Sequence, residues 1–239
     1  MKNNDAPVWL ITGGAGGLGA ALAEQGAHRG AQLVLLDRDR HGLERVADRL
    51  ASAGHEAPGL YPLDLGGAAE ADYAALAETV NAEFGRLDVL VHAAAQFGGL
   101  RPAVQTDAVE WLSELHANLG GPWLLTRALW APLRAATSGR LVFCLHDLEE
   151  VGEAYWGAYG VAKAGMAILA RQLAGEAGNT NIRVLAADPG PMGTPLRTSV
   201  WPARSPDDWP PPKTFAARLA DWLCAEPGAA GLHELNPGQ

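Results

Sequence analysis

The chain has 239 residues, 48% of them hydrophobic and 19% charged, a composition that supplies a packed core and excludes disorder as the main state. Its 18 Lys and Arg against 27 Asp and Glu leave a net charge of −9, which argues against a nucleic-acid groove or an anionic membrane surface as partner. Two cysteines, Cys144 and Cys224, exclude a disulfide scaffold and a Cys-rich zinc site, and no metal is expected.

The opening Met1-Lys2-Asn3-Asn4-Asp5 holds no apolar segment, and no apolar run approaches the ~18 residues of a spanning helix. A soluble, cytoplasmic protein is expected. An apolar run at residues 8–11 stops at a glycine-rich turn; a helical pattern follows at about 19–28, then a buried strand at 32–36. Further apolar runs at 59–63, 87–91, 141–145 and 182–186 alternate with helix-length stretches at 43–53, 68–84, 108–133 and 158–177. Strands alternating with helices of this length predict an α/β fold, a single Rossmann-type domain over residues 1–239. Its doubly wound parallel sheet carries helices on both faces. Residues 189–212 break the rhythm with eight prolines around Trp201 and Trp209. A long Pro-rich segment after the sixth strand predicts a substrate lid at 191–212, with a plain surface loop as the alternative.

Two motifs carry chemistry. Thr12-Gly13-Gly14-Ala15-Gly16-Gly17-Leu18-Gly19 lies between the first strand and the first helix. Glycines there let the backbone approach a pyrophosphate, which the free N–H groups of the helix N-terminus then stabilise. Asp37, 18 residues past Gly19, is placed to accept hydrogen bonds from an adenosine ribose and to repel a 2′-phosphate. Arg38, next to it, is placed to pair with that phosphate, so NAD(H) is favoured and NADP(H) remains possible. The second motif is Tyr159-Gly160-Val161-Ala162-Lys163, whose four-residue spacing sets phenol and ammonium on one helical face. A nearby cation favours the phenolate and brings an acid/base closer to neutral pH.

With these motifs in this order the chain resembles the short-chain dehydrogenase/reductase family over nearly its whole length. Trp156-Gly157-Ala158-Tyr159 and the ending Asn236-Pro237-Gly238 look most like its YciK-like bacterial oxidoreductases. The resemblance implies hydride exchange between a nicotinamide cofactor and a carbonyl or alcohol substrate. It makes Tyr159 the general acid/base, Lys163 the ligand of nicotinamide ribose hydroxyls that lowers the Tyr159 pKa, and Asn118 the holder of a relay water. It implies cofactor contacts from Gly13, Gly17, Leu18 and Gly19, from Asp37 and Arg38, and from Asp64 and Leu65 near the adenine. Ala94, Pro189 and Gly190 join them, with Thr194 at the carboxamide. It also implies homodimers or homotetramers built on the helices around 108–133 and 158–177.

Two departures stand out. The family's usual Ser, 13 residues before the Tyr, is here His146, so a bulkier imidazole takes the place of the group that orients substrate. Its Asn-Asn-Ala-Gly is here His92-Ala93-Ala94-Ala95, which predicts weakened but not abolished cofactor binding. These changes motivate the alternative of a cofactor-binding protein with degraded catalysis, acting as a sensor or partner subunit. His92 reads as either a cofactor neighbour or a packed strand-end residue. Cys144 is expected to pack in the fifth strand. His28, His41, His55, His116 and His233 are expected at the surface, and Trp111, Trp123, Trp130 and Trp222 on helix faces. Tyr155 and Trp156 either line a substrate pocket or simply pack.

Overall fold

Successive residues of the central strands are mostly apolar and point alternately to the two faces of one sheet, so both faces need a cover of helices. The computed structural model describes residues 5–225 and 231–237. Its strands are β1 (Val8–Thr12), β2 (Gln32–Asp37), β3 (Gly59–Pro62), β4 (Val89–His92), β5 (Gly139–Cys144), β6 (Ile182–Ala187) and β7 (Leu232–Leu235). They form one parallel sheet in the order β3-β2-β1-β4-β5-β6-β7. The helices are α1 (Gly17–His28), α2 (Arg40–Ser52), α3 (Glu70–Phe84), α4 (Ala108–Leu115), α5 (Gly121–Ala135), α6 (Leu148–Gly152), α7 (Gly157–Glu176), α8 (Pro195–Val200) and α9 (Pro212–Cys224).

Two cores sandwich the sheet. Leu10, Leu36, Leu90 and Phe143 pack with Leu76, Leu129 and Met166 of α3, α5 and α7. Ile11, Leu35, Val91 and Val142 pack on the other face with Leu22, Leu43 and Leu219 of α1, α2 and α9. The strand order reverses direction at β1, between β2 and β4, and this opens a crevice beyond the carboxyl ends of β1 and β4.

The expected strands are all present, with ends moved by one or two residues. The stretch expected as one helix over 108–133 runs instead from α4 into α5 through a wide π-turn at His116–Gly120. Pro122 follows at once and has no N–H to donate, so the ladder is interrupted there in any register. β7, α6, α8 and α9 add to the expected elements. α9 repeats Phe215, Ala216, Leu219, Ala220 and Leu223 at helical spacing directly after the prolines. The 191–212 segment is folded around α8 and a short turn of 3-10 helix at Pro206–Asp208. Gly238 of the ending motif and residues 1–4 lie outside the described residues. Among the described residues no helix is long and apolar enough to cross a membrane.

Candidate active site

The glycine turn lies directly on the end of β4. Gly13 has φ +71, and a Cβ there would stand 2.8 Å from the Ala94 Cα; at Gly19 it would stand 2.1 Å from the Gly13 carbonyl oxygen. Side chains at either position would push the turn off its seat. Gly16 precedes α1 and offers no side chain to cap it, so the first N–H groups of the helix are left for an anion. At the end of β2 the Asp37 carboxylate accepts from the Ala15 N–H at 3.1 Å and the Asp39 N–H at 3.0 Å. Arg38 Nη1 reaches Gln96 Oε1 at 3.5 Å across the same opening.

From there a cleft of about 300 Å3 extends to Tyr159 and Lys163. Gly13, Gly17, Leu18, Gly19, Asp37, Arg38, Asp64, Leu65, Ala94, Lys163, Pro189, Gly190 and Thr194 all line it. Thr194 closes over the glycine turn, since a Cβ on Gly17 would meet its Cγ2 at 2.8 Å. A glycine cradle, an uncapped helix start and a carboxylate at the far end together fit a dinucleotide.

At the other end Tyr159 is buried, with its Oη 3.1 Å from His146 Nδ1. Lys163, also buried, donates from Nζ to the Cys144 carbonyl at 2.8 Å and stands 5.5 Å from the Tyr159 ring centroid. Burial lowers the Lys163 pKa to about 8, against the smaller upward pull of Cys144 and Asp188. Burial raises the Tyr159 pKa, and the Glu150 charge adds to the rise while Arg197 opposes it. The ionisation of Tyr159 is therefore not drawn toward neutrality here as the four-residue spacing led us to expect. Desolvation is the largest cause, and one of the three ammonium protons of Lys163 goes to the Cys144 carbonyl. His146 Nε2 lies 3.4 Å from Glu150 Oε2, and Glu150 Oε1 accepts from Arg197 Nη1 at 2.6 Å. Burial lowers the His146 pKa more than Glu150 raises it.

Asn118 sits in the π-turn, fully buried, and its side chain fastens the loop after β4. Its Nδ2 donates to the Gln96 carbonyl at 2.7 Å and the Glu114 carbonyl at 2.9 Å, while its Oδ1 accepts from the Gln96 N–H at 3.0 Å. Both amide protons are thus occupied. Glu114 supports the same loop by accepting from the Gly98 N–H. In place of the missing amide at Ala93, Thr12 ties β1 to β4: its Oγ1 accepts from the N–H groups of Ala93 and Ala94, both at 3.1 Å. His92 belongs to the core. Its Nε2 lies 2.8 Å from Thr126 Oγ1, its ring stacks on Phe143, and burial pushes its pKa down to about 3. Cys144 packs in β5 as expected, with its thiol pushed up to about 12 by burial.

Phe97, Trp156 and His146 surround Tyr159 with ring centroids 5.3 to 5.8 Å away. Tyr155 is exposed and has φ +79, a left-handed backbone ahead of the buried Trp156. His28 and His41 are exposed as expected, whereas His55, His116 and His233 are half-buried; His116 Nε2, for instance, lies 3.0 Å from the Ala68 carbonyl oxygen. Asp188 and Gln96 are site residues that sequence reasoning missed, while Arg197 lies in the expected lid and neither it nor Glu150 was singled out. Glu150 alone had a signal, its four-residue spacing from His146. Among the described residues no cluster of ligands for a metal occurs.

Comparison with known proteins agrees with this geometry. The sequence pattern of the short chain dehydrogenase family matches residues 7–205. The chain is 29% identical over 197 residues to the uncharacterized oxidoreductase YciK of Escherichia coli K12, covering 82% of this chain and 78% of that one. It is 38% identical over 189 residues to cis-4-hydroxycyclohexanecarboxylate dehydrogenase of Sinomonas cyclohexanicum, covering 79% and 74%. A short chain dehydrogenase structure from Shigella flexneri 2a, complexed with NADP, superposes with a TM-score of 0.90 at 27% identity, covering 96% of each chain. The chain belongs to the short-chain dehydrogenase family of NAD(P)-dependent oxidoreductases.

Proposed function

We propose that Tyr159 is the general acid/base of a carbonyl/alcohol interconversion carried out in this cleft. The observation that carries the reading is the Tyr159 hydroxyl, buried in the dinucleotide cleft with His146 Nδ1 at 3.1 Å. The nicotinamide cofactor supplies the hydride donor or acceptor. Tyr159 delivers its hydroxyl proton to the forming alkoxide in reduction and removes the alcohol proton in oxidation. Lys163 holds the nicotinamide ribose and places positive charge over the Tyr159 ring. Asn118 fastens the loop after β4 with both amide protons, so the relay water assigned to it bonds an Asn118 oxygen and not Nδ2. His146 stands where a serine would orient the substrate, and its contact with Tyr159 weighs against a degraded site.

NAD(H) is the preferred cofactor on this reading, because the Asp37 carboxylate is held by two backbone N–H groups at the ribose end. Arg38 is the feature that admits NADP(H), the cofactor bound in the Shigella flexneri relative. The 191–212 segment acts as the substrate lid of a single domain over residues 1–239, supported by Met192, Thr194, Pro195, Leu196 and Arg197 in the cleft wall. The enzyme works in the cytoplasm as a homodimer or homotetramer; exposed Val109 and Leu112 on α4 and Val161 and Ile168 on α7 support the assembly. Turnover of a panel of cyclic and acyclic ketones with NADH and with NADPH, beside binding titrations of both, tests the reading. Binding of a cofactor without turnover of any ketone or alcohol would favour a sensor instead.

A further inference from the structure

A chain of three polar side chains, two of them unused by the family's chemistry, ends on the Tyr159 hydroxyl. Tyr159 Oη lies 3.1 Å from His146 Nδ1, and His146 Nε2 lies 3.4 Å from Glu150 Oε2. Glu150 Oε1 accepts from Arg197 Nη1 at 2.6 Å. The side chains of His146 and Arg197 are 14% and 13% exposed and that of Glu150 27%, so the chain is mostly buried and meets solvent chiefly at Glu150.

Local structure explains why they meet. β5 ends at Cys144, and Asp147 starts α6 by accepting from the Glu149 N–H at 2.9 Å. Glu150, in the first turn of α6, reaches back to His146, which precedes the cap. Arg197 arrives from α8, where Thr194 accepts from its backbone N–H at 3.2 Å. Its guanidinium fixes the carboxylate from the far side. An ionised carboxylate only accepts, so it settles the imidazole proton on Nε2 and leaves the Nδ1 lone pair facing Tyr159.

We propose that Glu150, clamped by Arg197, is a positioning residue that keeps His146 in the Nε2–H tautomer, so that His146 Nδ1 is the proton acceptor for the Tyr159 hydroxyl. The inference rests on Tyr159 being the acid/base. In alcohol oxidation the alcohol O–H bond breaks and its proton passes to the Tyr159 oxygen while the Tyr159 O–H bond breaks and an N–H bond forms at Nδ1, so imidazolium forms without a free phenolate. The imidazolium then gives its Nδ1 proton to water as product leaves, which restores the Nε2–H tautomer. A serine at position 146 passes a hydrogen bond along but stores no proton. Lys163, donating to the Cys144 carbonyl, is left to bind ribose and to supply charge.

The charged and titratable groups that face His146 are Glu150 of α6, Tyr159 and Lys163 of α7, and Arg197 of α8. Asp188, after β6, acts on Tyr159 and Lys163. Burial, Lys163 and Arg197 disfavour the imidazolium and Glu150 favours it, with burial the largest cause, so the pKa is lowered and the neutral ring is favoured.

The test uses the full chain with 15N-labelled histidine and bound NAD+, and reads ring-nitrogen protonation by NMR across pH. Wild type should show His146 with a proton on Nε2 and none on Nδ1. Glu150→Gln should move the protonation midpoint of His146 to lower pH and carry the acidic limb of the rate profile with it. With cyclic secondary alcohols, kcat should fall on the order of tenfold while KM holds. Should that variant not fold, Arg197→Lys serves, with a mixture of the two tautomers expected. A proton on Nδ1 in wild type, or a midpoint unmoved in Glu150→Gln, would overturn the inference and leave Tyr159 as acid/base untouched. Wild-type turnover in Tyr159→Phe would overturn both.

Discussion

Lys163 Nζ donates to the Cys144 carbonyl at 2.8 Å, which anchors the ammonium beside the Tyr159 ring to the end of β5. One hydrogen bond does not offset full burial of the charge, and the Lys163 pKa falls from 10.5 to about 8. That difference corresponds to about 3 kcal/mol. Below pH 8 both folded and unfolded chains carry the charge and the folded state bears the whole cost. As pH rises toward 10.5 the folded lysine loses its proton first, the unfolded chain binds more protons, and stability rises.

Lys163→Met should therefore be more stable than wild type at pH 7, by about 1–3 kcal/mol after allowing for the lost hydrogen bond. The gap should close above pH 10, and activity should be lost. Paired urea unfolding curves across pH check this. A variant less stable than wild type at pH 7 would show that the ammonium is well solvated by its surroundings.

At the other end of the cleft, Asp37 should make NAD(H) bind more tightly than NADP(H) by about 1–3 kcal/mol. The cause is repulsion between its carboxylate and a 2′-phosphate. Asp37→Ala should shift the ratio toward NADP(H) and, by freeing the Ala15 N–H of the glycine turn, weaken the binding of both cofactors. Calorimetric titration of both cofactors reads this; tighter NADP(H) binding in wild type would mean that Arg38 dominates.

The exposed apolar residues of α4 and α7 should be covered by a second copy. Val109 and Leu112 are 75% and 64% exposed, Val161 and Ile168 54% and 52%, and the two helices pack against each other. Light scattering should return a dimer or tetramer, and Leu112→Glu with Ile168→Glu should return a monomer. A monomeric wild type would remove this face from the account of assembly.

How far the site can be read from sequence depends on the range of each interaction. The glycine turn, Asp37 and the Tyr159–Lys163 pair are local patterns with a fixed period, and the strand–helix alternation places them in one crevice. His146 was legible as a position, 13 residues before Tyr159, but its partner was not. Glu150 counts as a partner only once the five residues of α6 are known to be helical, and Arg197 comes from a Pro-rich segment 47 residues away. Asn118 was legible as a residue type only. Its side-chain bonds depend on a π-turn that no periodicity announces. Likewise Thr12 takes over the tie between β1 and β4 through a hydroxyl that reads, in sequence, as the end of an apolar strand.

The central claim is that the Tyr159 hydroxyl moves the proton. Its most direct test is hydride transfer from NADH to a ketone substrate by wild type and Tyr159→Phe, with NADH affinity measured on the same samples. Loss of one buried hydroxyl should leave NADH affinity nearly unchanged and cut turnover by about 10²–10⁴-fold. Turnover equal to wild type in Tyr159→Phe, with NADH still bound, would contradict the account.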